Sequence, residues 1–191
     1  MLVHHGLFWE GLRPMTGRRY RKARLLMDAG MAVYSAHLPL DSHAEVGNCV
    51  ELARALGVEP AARFGAYKGV EVGWRGTLPE PLERDAFVAR AAEVLGGGVR
   101  LLEGGPDVVE RVGVVTGGGG SLVAQAASEG LDTFVTGEAS HHSYFDAMEL
   151  GVNVLLGGHY ATETWGVKAL AQHLAERFAL TWEFVDQPTG M

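Results

Sequence analysis

Runs of β-friendly residues alternate with segments of helical spacing along nearly the whole chain, and glycines punctuate the changes. That alternation predicts an α/β layered fold with a largely parallel or mixed sheet. Helices are predicted over residues 18–29, 81–95, 121–128, 144–150 and 163–177, with Gly30 and Gly96-Gly97-Gly98 stopping the first two. In the first helix Leu25, Leu26 and Ala29 are expected toward the core. Strands are expected at 31–36, 69–78, 99–102, 109–115, 131–135, 152–156 and 180–185, and residues 3–5 read as the tail of another. Ser42 and Glu45 have the spacing of a capping box ahead of a helix carrying Val46, Val50, Ala53 and Leu56. Pro81 is expected in the first turn of its helix, where a missing amide costs little.

At 191 residues the chain suits one good core, so a single domain over 1–191 is expected. Residues 64–107 are its most irregular part and a candidate small lobe. Apolar content of 47% with 20% charged residues fits a soluble globular protein. No apolar run approaches the ~20 residues that a membrane-spanning helix needs. Cys49 is the only cysteine, which excludes an intramolecular disulfide and suits a reducing cytoplasm. A net charge of −7 argues against nucleic acid as a partner. The one basic stretch, Arg18 to Arg24, reads either as the solvated side of a helix or as a local anion site. A strand ending at residue 3 leaves no room for its own beginning, so sequence ahead of Met1 is expected to be missing.

Side chains able to bind a metal come from three separate places: His4 and His5, Asp41, and His159 with Glu163. His159 and Glu163 are four apart and share a face if a helix has begun by Tyr160. His4 and His5 are consecutive and point opposite ways on extended chain, which suits two ions or a bend at Gly6. Asp41 follows a strand, where α/β folds gather functional groups. Two ions need ~8–12 donor contacts. Three imidazoles and two carboxylates supply roughly 5–7, so positions stay open for water or substrate, unlike a closed structural zinc site. The mixture of N and O donors suits Zn, Fe, Mn, Ni or Co without choosing among them.

Val3-His4-His5-Gly6-Leu7-Phe8-Trp9, Ala36-His37-Leu38-Pro39-Leu40-Asp41, Gly47-Asn48, Thr136-Gly137-Glu138 and Gly158-His159-Tyr160-Ala161-Thr162-Glu163 closely resemble the Nif-three-like family. This is the YbgI-type group, whose members carry the label GTP cyclohydrolase I type 2 homologue. The motifs stand in family order and cover essentially the whole chain. The resemblance implies an α/β fold of two intertwined lobes with mixed sheets. It implies a dinuclear metal centre held by His4, His5, Asp41, His159 and Glu163, and assembly into a ring-shaped homohexamer. About sixty residues that normally precede the paired histidines are absent, which leaves the first lobe incomplete.

The function expected is metal-dependent hydrolysis of a small phosphorylated or nucleotide-like molecule. The rival is a non-catalytic metal-binding, metal-sensing or scaffolding ring. His37 is either a partner orienting a ligand or a turn histidine bonded to backbone. Glu138 is a general base, an acceptor behind a ligand, or an ordinary loop carboxylate. His141 and His142 read as a lid or substrate-side pair, or as surface. The loop Gly117 to Gly120 is either a phosphate cradle or a tight βα turn, and no P-loop lysine follows it. Cys49 is expected in the core, and Phe8 and Trp9 either pack or line a site mouth.

Overall fold

Most of the predicted strands and helices form, with shifted ends, in a computed structural model that describes residues 1–190. Contacts divide the chain into two compact units, Met1–His37 and Leu38–Met191.

In the first unit, β1 (Leu2–Val3) pairs in parallel with β2 (Tyr34–Ser35) across helix α1 (Gly17–Asp28) in sequence. The strand expected over 31–36 therefore shrinks to two residues. Ala23 is the buried residue of α1, with Arg19 and Leu26 half-buried on the same face. Leu25 and Ala29 do not face the core as expected, and Leu25 is 70% exposed. Leu25 lies two residues, about 200°, round the helix from Ala23, so burying one face exposes it.

The second unit continues with α2 (Leu38–Asp41), α3 (Asn48–Ala55), β3 (Glu59–Tyr67), β4 (Val70–Glu83), α4 (Arg84–Leu95), β5 (Arg100–Glu103) and β6 (Val108–Val115). A 3-10 turn at Gly120–Leu122 leads into α5 (Val123–Ser128), followed by β7 (Thr133–Thr136), α6 (Ser143–Leu150) and β8 (Asn153–Leu156). Helices α7 (His159–Thr162) and α8 (Trp165–Phe178) come last. Among the described residues these strands form one six-stranded sheet in the order β3-β4-β6-β7-β8-β5. Strands β6, β7 and β8 run parallel, while β3, β4 and β5 pair antiparallel. The fold is mixed α/β, as the alternation predicts.

Alternate residues of the central strands feed two cores. Val112, Val114, Val135 and Leu155 pack with Leu52 of α3, with Leu56 just after it and with Phe87 of α4. Val115, Phe134 and Val154 pack with Phe64, with Val123 and Ala126 of α5 and with Ala147 of α6. A sheet covered on both faces needs apolar residues at successive positions, which explains the valine and leucine runs. Each fully buried Phe or Leu contributes roughly 1.5–3 kcal/mol of transfer free energy.

Four further differences from the sequence reading have identifiable reasons. Strand β3 was not anticipated, because Pro60 and Gly65 are poor strand residues; it is an edge strand, and Pro60 stands at a register shift. Pro81 lies in β4 rather than α4, within a shift of the pairing to β6 between Thr77 and Leu82, where the ladder is interrupted. Ser42 and Glu45 do not cap a helix: α3 starts later, at Asn48 after Gly47. Instead His43 Nδ1 accepts the amides of Glu45 and Val46. Residues 180–185 form no strand. After Ala179 ends α8 in the left-handed region, the tail is tied by side chains, with Tyr160 donating to Asp186 (2.6 Å) and Trp182 to Gln172 (3.1 Å). No described helix is long and apolar enough to cross a membrane.

Candidate metal centre

The ends of the three parallel strands carry the second unit's functional groups. Thr116 follows β6, Glu138 stands two residues beyond β7, and His159 three beyond β8. Loops at the carboxyl ends of parallel strands are where open α/β sheets bind ligands. The loops are stitched together by the Gly117 carbonyl, which accepts the amides of Gly137 and Glu138 (both 2.9 Å) and the Thr136 hydroxyl (3.1 Å). The Gly117 amide in turn donates to Thr162 Oγ1 at 3.0 Å, tying the loop to α7.

His159 sits between two carboxylates. Its Nδ1 is 2.9 Å from Glu138 Oε1, and its Nε2 is 3.0 Å from Glu163 Oε2. A carboxylate behind an imidazole fixes the ring's tautomer and direction, the arrangement usual behind metal-bound histidine. Two ligands in neighbouring positions at ~2.1 Å from one ion stand about 3 Å apart, so Nε2 and Oε2 fit the same ion. Asp41, 5% exposed, has a carboxylate oxygen within 4.8 Å of one of Glu163. Its Oδ1 accepts Asn48 Nδ2 (2.9 Å) and Thr116 Oγ1 (3.1 Å). Asn48 is itself held, because its Oδ1 accepts the Gly166 amide at 2.6 Å.

Gly117 gives the glycine loop a specific role here. It has φ +67°, and a Cβ added to it would stand 2.1 Å from Glu163 Oε1 and 3.2 Å from His159 Nε2. Any side chain at this position would displace the donor pair. The helix beyond the loop begins with a three-residue 3-10 turn, and α5 itself is only six residues long. The loop therefore serves close packing against the donors. Cys49, fully buried as expected, lies 3.4 Å from Thr116 Oγ1. Burial, and then the negative charge of Asp41, push its thiol up to about 12, so it stays a neutral thiol near pH 7.

The first unit gathers three imidazoles. One ring nitrogen from each of His4, His5 and His37 lies within 4.8 Å of the others. His4 is 8% exposed, and its Nδ1 is 2.9 Å from the Ala36 carbonyl. A backbone carbonyl can only accept, so Nδ1 is the donor of this bond. The exposed Trp9 ring packs on His5 (5.3 Å) and edge-on to His37 (4.4 Å), so it belongs to this cluster. Phe8 instead lies under the Arg19 guanidinium at 5.0 Å.

The structure thus brings Asp41, His159, Glu163 and Glu138 together in the second unit, and His4, His5 and His37 in the first. His37 stands among possible donors, a place its position in a turn did not disclose. Thr116 and the bond from Asn48 to Asp41 were also missed, since a threonine before glycines reads first as loop. His43 and His173 are exposed and stand apart from these groups. His141 and His142 are exposed at the start of α6.

Comparison with known proteins agrees with these motifs. The profile of the family described as Duf34/NIF3 (NGG1p interacting factor 3) matches residues 1–189. A protein of Deinococcus radiodurans named GTP cyclohydrolase 1 type 2 homolog is 42% identical over 191 residues, covering 100% of this chain and 73% of its own. A solved structure from Thermus thermophilus superposes with a TM-score of 0.90 at 42% identity, covering 100% of this chain and 75% of that one. The structure of protein ybgI, described as of unknown function, gives a TM-score of 0.91 at 35% identity, with 98% and 75% covered. The motif order, the fold and these matches agree: the chain belongs to the Duf34/NIF3 family.

Proposed function

We propose that His4, His5, Asp41, His159 and Glu163 hold two divalent ions, and that the chain is a metal-dependent hydrolase of a small phosphorylated or nucleotide-like molecule. The observation that carries the metal reading is His159, clamped from behind by Glu138 with its other nitrogen 3.0 Å from Glu163. Imidazole and carboxylate donors suit Zn, Fe, Mn, Ni or Co. Ions bound there supply Lewis acidity and lower the pKa of nearby water toward neutrality. Asp41 and Glu163 offset two of the four positive charges.

The chain's own groups have distinct tasks. Glu138 orients His159 and is the carboxylate placed to take a proton at its exposed edge. Asn48 and Thr116 hold Asp41 through Oδ1, which fixes the direction of the carboxylate. His37 adds a third imidazole to the His4–His5 pair, as a further ligand or as a proton carrier. The names of the curated relatives favour a nucleotide-like substrate, and self-association into a ring belongs to the same reading. A lone buried thiol is compatible with the reducing cytoplasm.

The test is hydrolysis by protein loaded with each metal in turn, over nucleotides, phosphoesters and cyclic amides, with Asp41→Ala as control. Metal-dependent turnover lost in Asp41→Ala supports the reading. Bound metal with no turnover on any compound, and a ring that chelation dissociates, would point to the non-catalytic scaffold.

A further inference from the structure

The second unit has a cleft of about 490 Å³ beside β5 and the start of α6, and the proposed metal centre does not use it. Its size is that of a metabolite-sized site. Leu102 and Leu156 provide apolar lining, and His141, Tyr144, Phe145 and Arg100 complete most of it. Tyr144 and Phe145 are 45% and 50% exposed, so both rings are open to a ligand. Phe145 meets Tyr144 edge-to-face at 5.4 Å and His141 at 5.7 Å, so the three rings form one wall. An aromatic wall of this kind accepts a planar ring.

Charge selects further. Among the described residues no carboxylate lines the cleft, while Arg100 brings a guanidinium and His141 an imidazole. Guanidinium pairs with phosphate or carboxylate through two parallel hydrogen bonds. The cleft is also joined to the candidate site by a very short piece of chain. Ala139, Ser140 and His141 line it, and they directly follow Glu138, which holds His159.

We infer that this cleft binds a planar aromatic ring carrying an anionic group, with the ring on Tyr144 and Phe145 and the anion on Arg100. The inference rests on the hydrolase reading and gives it a substrate class, in which a heteroaromatic base and a phosphate are recognised together. His141 then has a reason to stand in the loop after Glu138.

The experiment is isothermal titration of the full chain, stripped of metal by chelation, with guanosine 5′-monophosphate, guanosine and ribose 5-phosphate. Stripping prevents the phosphate from binding through ions. Only the monophosphate, which has both ring and anion, is expected to bind well, with guanosine and ribose 5-phosphate at least tenfold weaker. Arg100→Gln and Phe145→Ala should each weaken the monophosphate at least tenfold, and Tyr144→Phe should leave it within about twofold. Both Arg100 and Phe145 are exposed enough that unchanged melting curves are expected for their variants. No monophosphate heat with the wild-type chain, or equal affinity in Arg100→Gln and Phe145→Ala, would overturn the inference. Metal content measured on the same wild-type and variant proteins keeps the two readings apart. Full metal binding with no nucleotide binding removes only the cleft, and nucleotide binding without any metal uptake removes only the metal centre.

Discussion

The two units present donors in contrasting ways. In the second, Asp41 and Glu163 stand by the loop at the carboxyl end of β6, and hydrogen bonds spanning as many as 118 residues along the chain fix their surroundings. In the first, His4, His5 and His37 stand just beyond two-residue strands, with His5 exposed and the Trp9 indole against His5 and His37. Long-range bonds from a covered sheet hold a side chain whether or not a ligand is present. Short strands and ring contacts hold it weakly, since local opening costs least where few apolar contacts are buried. The contrast says that the second unit's carboxylates are prepared in advance, while the first unit's imidazoles are held less firmly.

The largest effect should come from breaking the prepared side. Asn48 is fully buried and connects Asp41 to the Gly166 amide. Asn48→Ala leaves the amide without its acceptor and removes a donor from Asp41. At about 1–3 kcal/mol for each of the two affected groups, urea unfolding should show a loss of about 2–6 kcal/mol. A loss below about 1 kcal/mol would mean that the network is not rigid.

An intermediate effect is expected with pH. The Cys49 thiol is raised from 9.0 to about 12 by burial first, then by Asp41. A folded-state pKa above the unfolded one means that the unfolded chain loses its proton first as pH rises. The contribution is fully present below pH 9 and declines between 9 and about 12, by at most about 1.4 kcal/mol per unit. Cys49→Ala removes that slope, so urea midpoints of wild type and variant should converge over this range. Parallel curves would show that Cys49 does not titrate as its burial requires.

The smallest effect belongs to the exposed imidazole. His5→Ala without metal should change unfolding stability by less than about 0.5 kcal/mol. A cost comparable to that of Asn48→Ala would erase the contrast between the units.

How much of this is legible in the sequence depends on what fixes each element. The valine runs of β6, β7 and β8 declare themselves because both faces of their sheet are covered. The donors declare themselves by residue type and by the order of the motifs. Positions governed by tertiary partners do not. The start of α3 obeys the Asn48 bonds rather than the Ser42–Glu45 pattern. Pro60 and Pro81 conceal strands because edge pairing and register shifts tolerate a missing amide. Residues 180–185 have strand-like composition and no strand, since composition cannot supply a partner edge. Gly117 looks like a phosphate loop until the space taken by Glu163 is seen.

Elemental analysis of the purified chain tests the central claim most directly. About two divalent ions per chain are predicted for the wild type, and no more than about one for Glu163→Ala, whose carboxylate faces both His159 and Asp41. Only trace metal in the wild type after growth and reconstitution with Zn, Fe, Mn, Ni and Co, or an undiminished count in both Glu163→Ala and Asp41→Ala, would contradict the account.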